Sequence, residues 1–296
     1  MIQQLTYLLQ NMRPRQWAKN GLLFAGLIFA NKADQSLLVW NTLQAFVVFC
    51  LLSGAVYVLN DLRDLEKDRQ HPEKRHRPLA AGLLKPGLAA TAALLLGGLA
   101  VVWAFMLTTK FGWCAVAYVA MTTAYSIKLK HVVIVDLLIL AGGFVLRAYA
   151  GIAAISLPGQ DPVPVTAWFL SCTLFLALFI AICKRRHELV LLQDDANHHR
   201  AVLEEYSKPF LDQMVAVTTT STVLTYALYA ISQEAKPGII YTLPFVLYGI
   251  FRYLYLVYQR DEGGAPESTL LRDPLMIVNI VLWLSSMVYI FYFYAD

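Results

Sequence analysis

Long apolar runs broken by short polar islands set the pattern of this chain. Runs long enough to cross a hydrocarbon core roughly 30 Å thick lie near residues 40–60, 88–107, 112–127, 132–155, 165–183, 213–232, 238–258 and 274–294. A shorter run at 17–31, WAKNGLLFAGLIFAN, is extended by the amphipathic stretch before it and supplies a ninth span. The pattern predicts an all-α polytopic membrane protein with about nine transmembrane helices, built as one domain over residues 1–296.

Composition agrees. With 58% hydrophobic and 15% charged residues and a mean hydropathy of +0.54, 296 residues are too apolar for a soluble domain. The first apolar run follows Arg13, Arg15 and Lys19 and lacks a small-residue cleavage site, so it is expected to be retained. Nine spans place 20 of the 24 Lys and Arg on one side and only Lys32, Lys110 and Lys236 on the other, with Arg147 inside a span. Cytoplasmic loops are enriched in these bases, which predicts a plasma-membrane protein with a cytoplasmic N-terminus and cytoplasmic polar islands. The +4 net charge is accounted for by those loops, so no nucleic-acid partner is expected. Cys50, Cys114, Cys172 and Cys183 are scattered through apolar runs without C-x-x-C spacing, and read as packing residues.

The polar islands carry the candidate chemistry. The richest, YVLNDLRDLEKDRQHPEKRHRP from Tyr57 to Pro78, lies in a loop region spanning about 61–87. If the preceding helix continues through it, Asp61, Asp64 and Asp68 share one face, with Asn60 at its edge. Like charges on one face repel unless a cation neutralises them, and such oxygen ligands suit Mg2+ carrying a phosphate or diphosphate. Lys74, Arg75 and Arg77 follow as donors for the phosphate oxygens. The plainer alternative is a solvated loop whose mixed charges cap two spans.

The other islands are sparser. Lys19 and Asn20, where the first run enters the bilayer, are placed to reach a bound phosphate, whereas Arg13 and Arg15 read as a topology signal beside the interfacial Trp17. A second island over 125–131 holds Tyr125, Lys128 and Lys130, followed by Asp136 and, deeper in the same run, Arg147. An intramembrane acid or base faces the bundle interior or a cavity. Asp136 therefore either completes a metal or hydrogen-bond site or pairs with a buried group to fix helix packing, and Arg147 poses the same choice. Lys184 and Arg185 end a later span and read as a functional pair, while adjacent His198 and His199 cannot share a helix face and read as solvated. The loop from Arg260 to Pro274 reads as a flexible connector ending in a helix-start proline.

These residues resemble a known family. Asn60-Asp61-x-x-Asp64-x-x-x-Asp68, with Tyr125-x-x-Lys128 leading to Asp136, is similar to the motifs of the UbiA superfamily of intramembrane prenyltransferases. The resemblance implies helices around a central cavity, a Mg2+-bound diphosphate held by two aspartate motifs, and a lateral opening for a lipid. The second motif departs from the prenyltransferase pattern, because Leu140 stands where a second acid is usual. That departure, with RPRQWAKN, YSIKLKH, CKRRHEL and LRDPL, resembles the decaprenyl-phosphate phosphoribosyltransferase branch. Membership implies transfer of 5-phosphoribose from phosphoribosyl diphosphate (PRPP) to a polyprenyl phosphate for cell-wall arabinogalactan synthesis. It further implies Mg2+ on Asn60, Asp61, Asp64 and Asp68, catalytic roles for Asp61, Asp64, Tyr125 and Lys128, and phosphate contacts from the bases named above. Two rivals are a prenyltransferase acting on an aromatic acceptor and a phosphorylated-lipid transporter. A homo-oligomer is compatible with either.

Overall fold

A computed structural model describes residues 2–72, 74–159, 163, 166–192, 201–232, 236–264 and 266–293, all helix, turn or loop, with no strand among them. The chain divides into two compact units, Met1–Leu129 with Leu146–Pro164, and Lys130–Val145 with Val165–Asp296. His198 and His199 lie outside the described residues.

The first unit opens with α1 (Ile2–Asn11), a 3-10 run over Pro14–Leu22 and the short α2 (Leu23–Phe29). Then come α3 (Ser36–Arg63), α4 (Leu65–Gln70), α5 (Pro86–Leu107) and α6 (Thr109–Ile127). Helix α3 is central: 61% of its apolar window is buried, against 17% for α5. On α5 the buried positions are Ala89, Ala93, Ala100 and Ala104, while Leu94, Leu95, Leu99 and Met106 are exposed as a lipid-facing surface. Lipid is as apolar as leucine, so small residues at the interface, which let backbones approach, drive such packing. The same rule acts where α2 meets the second half of α7 (Val135–Ile155): a Cβ on Gly151 would lie 2.1 Å from the Leu23 carbonyl oxygen. The turn between α5 and α6 is a single residue, Thr108, whose hydroxyl accepts from the Phe111 amide and donates to the Ala153 carbonyl.

The second unit holds the first half of α7, α8 (Ala167–Leu192), α9 (Lys208–Ser232), α10 (Leu243–Gln259), α11 (Pro266–Arg272) and α12 (Pro274–Tyr292). Its core includes Leu137, Phe179, Ile182, Leu211, Tyr253 and Met276. Pro274 begins α12 as expected, with the Asp273 carboxylate accepting from the Met276 amide at 2.8 Å.

Seven helices among the described residues are long and apolar enough to cross a membrane, not the nine expected. The run at 17–31 is mostly a 3-10 segment followed by the seven-residue α2. Helix α6 forms, with 19 residues, but its threonines and other polar positions leave it below the hydropathy of the seven.

Candidate active site

In the first unit the acidic island is built by three chain segments. Helix α3 does not run through it unbroken: Asp64 sits at a break with φ −94° and ψ 12°, and α4 starts at Leu65. The helical bonding nearly continues across the break, from the Asp64 amide to the Asn60 carbonyl and from the Asp68 amide to the Asp64 carbonyl. Asp61 and Asp68 are both buried, at 4% exposure each, whereas Asn60 and Asp64 are half-buried.

Arg77 holds the two buried acids together. Its Nη1 donates to Asp61 Oδ1 at 2.9 Å and to Asp68 Oδ2 at 2.6 Å. The loop that delivers Arg77 is pinned by Leu79 and Leu84, buried against α1, α3 and α5, and by Gln4, which donates to the Leu83 carbonyl and accepts from the Lys85 amide. Asp61 also receives Asn11 Nδ2 at 3.1 Å and the Arg13 guanidinium, which lies over the Tyr57 ring. Arg13 takes a left-handed conformation, φ 56°, uncommon for a residue with a side chain. That turn between α1 and the 3-10 run brings its side chain back onto Asp61. Arg13 is thus part of the acidic cluster and not only a topology signal.

The geometry admits a divalent cation. Two carboxylates converge on one positively charged nitrogen, and Asn11 Oδ1 is buried without a hydrogen-bond partner. Hard cations such as Mg2+ bind through one or two carboxylates plus substrate phosphates. Among the described residues no three His, Cys, Asp or Glu side chains cluster to hold an ion unaided. The remaining ligands would therefore be substrate oxygens.

The other expected residues of this unit are distributed around the cluster. Lys74 is half-buried and Arg75 exposed, both in a 3-10 turn over Lys74–His76. Tyr125 is half-buried in the last turn of α6, and exposed Lys128 ends that helix, near enough to α3 for Arg63 to donate to the Ile127 carbonyl at 3.5 Å. Lys19 is half-buried. Asn20 is fully buried, accepting from Arg147 Nε at 2.9 Å and donating to Ser53 Oγ at 3.3 Å. Arg147 also donates to Tyr118 Oη at 2.9 Å. Of the two roles open to Arg147, the structure shows the pairing that fixes helix packing.

In the second unit Asp136 is completely buried in the first turn of α7. Arg185 Nη2 and Tyr206 Oη each donate to its carboxylate at 2.8 Å. Arg185 also donates to Glu188 at 2.7 Å, and Tyr206 accepts the Ile134 amide at 2.7 Å. Burial, reinforced by the Asp136 carboxylate, pushes the Tyr206 hydroxyl up to about 12, so it remains a protonated donor at neutral pH. Lys130 and Lys184 are half-buried. Glu188 and Tyr206 were not picked out from the sequence; an intramembrane acid demands buried donors, which is the one signal that could have prompted a search for them.

Apolar helices at membrane-spanning length, with buried acids clamped by arginines near their ends, define an integral membrane protein. The UbiA prenyltransferase family model matches residues 21–292, and the chain belongs to that family. It is 35% identical over 284 residues to the Decaprenyl-phosphate phosphoribosyltransferase of Mycobacterium tuberculosis, covering 93% of this chain and 91% of that one. It is 34% identical over 292 residues to the protein of the same name from Corynebacterium glutamicum, covering 95% and 85%. The solved structure of a UbiA homolog from Archaeoglobus fulgidus bound to DMAPP and Mg2+ superposes with a TM-score of 0.73 over 97% of this chain and 99% of that one, at 18% identity. That likeness shows the fold.

Proposed function

We propose that the protein transfers 5-phosphoribose from PRPP to a polyprenyl phosphate, decaprenyl phosphate or a close analogue, releasing diphosphate. The observation that carries the reading is the convergence of Asp61 and Asp68 on a single guanidinium nitrogen, in a chain similar over most of its length to proteins named for that transfer. Asp61 and Asp68, with Asn60 and Asp64 at the break beside them, would hold Mg2+ with the diphosphate, and Lys74, Arg75 and Arg77 would serve its outer oxygens. When bound, Mg2+ neutralises charge on the departing diphosphate. Arg77, now tied to both acids, exchanges those contacts for the diphosphate.

The acceptor is already an anion at neutral pH, so its attack at C1 needs no strong general base. Its demand is for cations that hold two further phosphate groups in place. Lys128, Lys130, Lys184 and Arg185 suit this, with Lys19 and Asn20 at the N-terminal entry and Tyr125 orienting an oxygen. Asp136 sets Arg185 through their buried pair. A prenyltransferase acting on a neutral aromatic acceptor would need fewer bases. The concentration of Lys and Arg on one side, counted with nine spans, supports a cytoplasmic face of the plasma membrane for the N-terminus and these residues, where PRPP is available.

The test is transfer of label from radiolabelled PRPP to decaprenyl phosphate by purified protein in detergent micelles with Mg2+. Label in the lipid phase that disappears with EDTA is expected. Absence of transfer, with turnover of a prenyl diphosphate and an aromatic acid in its place, would overturn the assignment.

A further inference from the structure

The end of α8 directs three consecutive side chains to three places. Arg185 reaches Asp136, Arg186 donates to Asp212 with its guanidinium 3.9 Å above the Tyr258 ring, and His187 lines a separate cleft. Successive helical positions are rotated by about 100°, so Arg185 and His187 face nearly opposite ways. The cleft, about 680 Å³, is lined by His187, Arg252, Arg260, Glu262, Arg272 and Asp273 among others.

Its charges are not balanced internally. Arg252 is neutralised by a bidentate pair with Asp273, Nε to Oδ1 at 3.1 Å and Nη2 to Oδ2 at 2.7 Å. Arg260 and Arg272 form no ion pair among the described residues; Arg260 has only the Tyr255 hydroxyl at 3.4 Å. Among the described residues Glu262, exposed and two positions from Arg260, is the one other carboxylate lining the cleft. The wall is fixed in shape: a Cβ on Gly263 would meet His187 Cβ at 2.9 Å, and one on Gly264 would meet the imidazole at 2.8 Å. Two glycines therefore let the loop lie directly on His187. The cleft opens where α10 ends and α12 begins, at the end of two membrane spans.

We propose that this cleft is a binding site for a phosphate-bearing group, held by Arg260, Arg272 and His187. Guanidinium groups bind phosphate through paired, charge-assisted hydrogen bonds, and collecting them at one cavity is unfavourable until an anion joins them. The volume exceeds a bare phosphate and fits a phosphorylated headgroup or a small soluble phosphate ester. The site is independent of the transfer reaction proposed above and of any divalent cation.

Arginine footprinting of the full chain in maltoside micelles with EDTA tests it without a mutation. Phenylglyoxal modification of Arg260 and Arg272 is followed by peptide mass spectrometry alone, with inorganic diphosphate, and with a short-chain polyprenyl phosphate. Arg15, exposed and remote in sequence, is the reference. Modification of both arginines should slow roughly tenfold when the probe is held at about ten times its Kd, with Arg15 unchanged. Protection by diphosphate alone assigns a soluble ligand, protection by the lipid alone a headgroup, and protection by both the shared phosphate chemistry. Unchanged rates at Arg260 and Arg272 with both probes at millimolar concentration would overturn the proposal. R272Q should in turn remove the protection of Arg260; persistence of that protection would count against a shared site.

Discussion

Replacing Arg185 with Met isolates the most buried ion pair in the second unit. Asp136 has no exposed side-chain surface and Arg185 only 3%. The Arg185→Met variant leaves the carboxylate with Tyr206 as its side-chain donor among the described bonds. Breaking a buried pair by removing one partner costs about 3–5 kcal/mol, because the other charge stays desolvated. At roughly 2–3 °C per kcal/mol for a chain of this size, the midpoint should fall by about 6–15 °C. The double variant Asp136→Asn, Arg185→Met removes both charges and should recover most of that loss, since apolar or neutral replacements of whole buried pairs are often close to neutral. Tyr206→Phe keeps the pair but removes one donor to Asp136 and the acceptor of the Ile134 amide, a smaller loss of about 1–3 kcal/mol. Scanning fluorimetry in one detergent, on all four proteins, measures the series. An Arg185→Met midpoint within about 2 °C of wild type, or a double variant less stable than Arg185→Met, would refute the reasoning.

Two further outcomes follow from other carboxylates. Asp61→Ala should cut turnover at least about 100-fold, the scale of losing a group that organises transition-state charge, while circular dichroism shows an intact helical fold; retained turnover would remove Asp61 from the chemistry. The Arg252 guanidinium holds the Asp273 carboxyl below its ordinary 3.8, so folding is favoured by this group above that value and the contribution is lost as pH falls through the folded-state pKa. The midpoint difference between wild type and Asp273→Asn should accordingly shrink as pH is lowered past 3.8, and a difference that stays constant would show that Asp273 does not titrate with its partner.

Helix positions were legible because membrane spans announce themselves by length and apolarity, and for seven of them nothing local competes. The first expected span is not one long helix. Over 17–31 the chain runs as a 3-10 segment and then the seven-residue α2, with Arg13 just before it tied to Asp61 of α3 and Asn20 within it tied to Arg147 of α7. The acidic island was legible in composition but not in shape. Three aspartates at helical spacing suggested one continuous face, whereas a break at Asp64 lets Asp61 and Asp68 converge on one nitrogen of Arg77.

Partners far apart in sequence were the part that spacing could not supply. Asp61 lies 48 residues from Arg13, and Asp136 lies 49 from Arg185 and 70 from Tyr206. Periodicity reports which face a residue occupies on its own helix and nothing about which neighbour that face will meet. What the sequence does impose is a requirement: an acid inside an apolar run must find donors, because leaving it unpaired costs more than the fold can spare. The bases of this chain satisfy that requirement at Asp61, Asp68, Asp136, Asp212 and Asp273, each of which is met by an arginine. Among the described residues Arg260 and Arg272 stand outside every such pair, with Glu262 the one unpaired carboxylate lining the cleft beside them, and surplus positive charge at a cavity is where a chain of this composition can take an anion from outside itself.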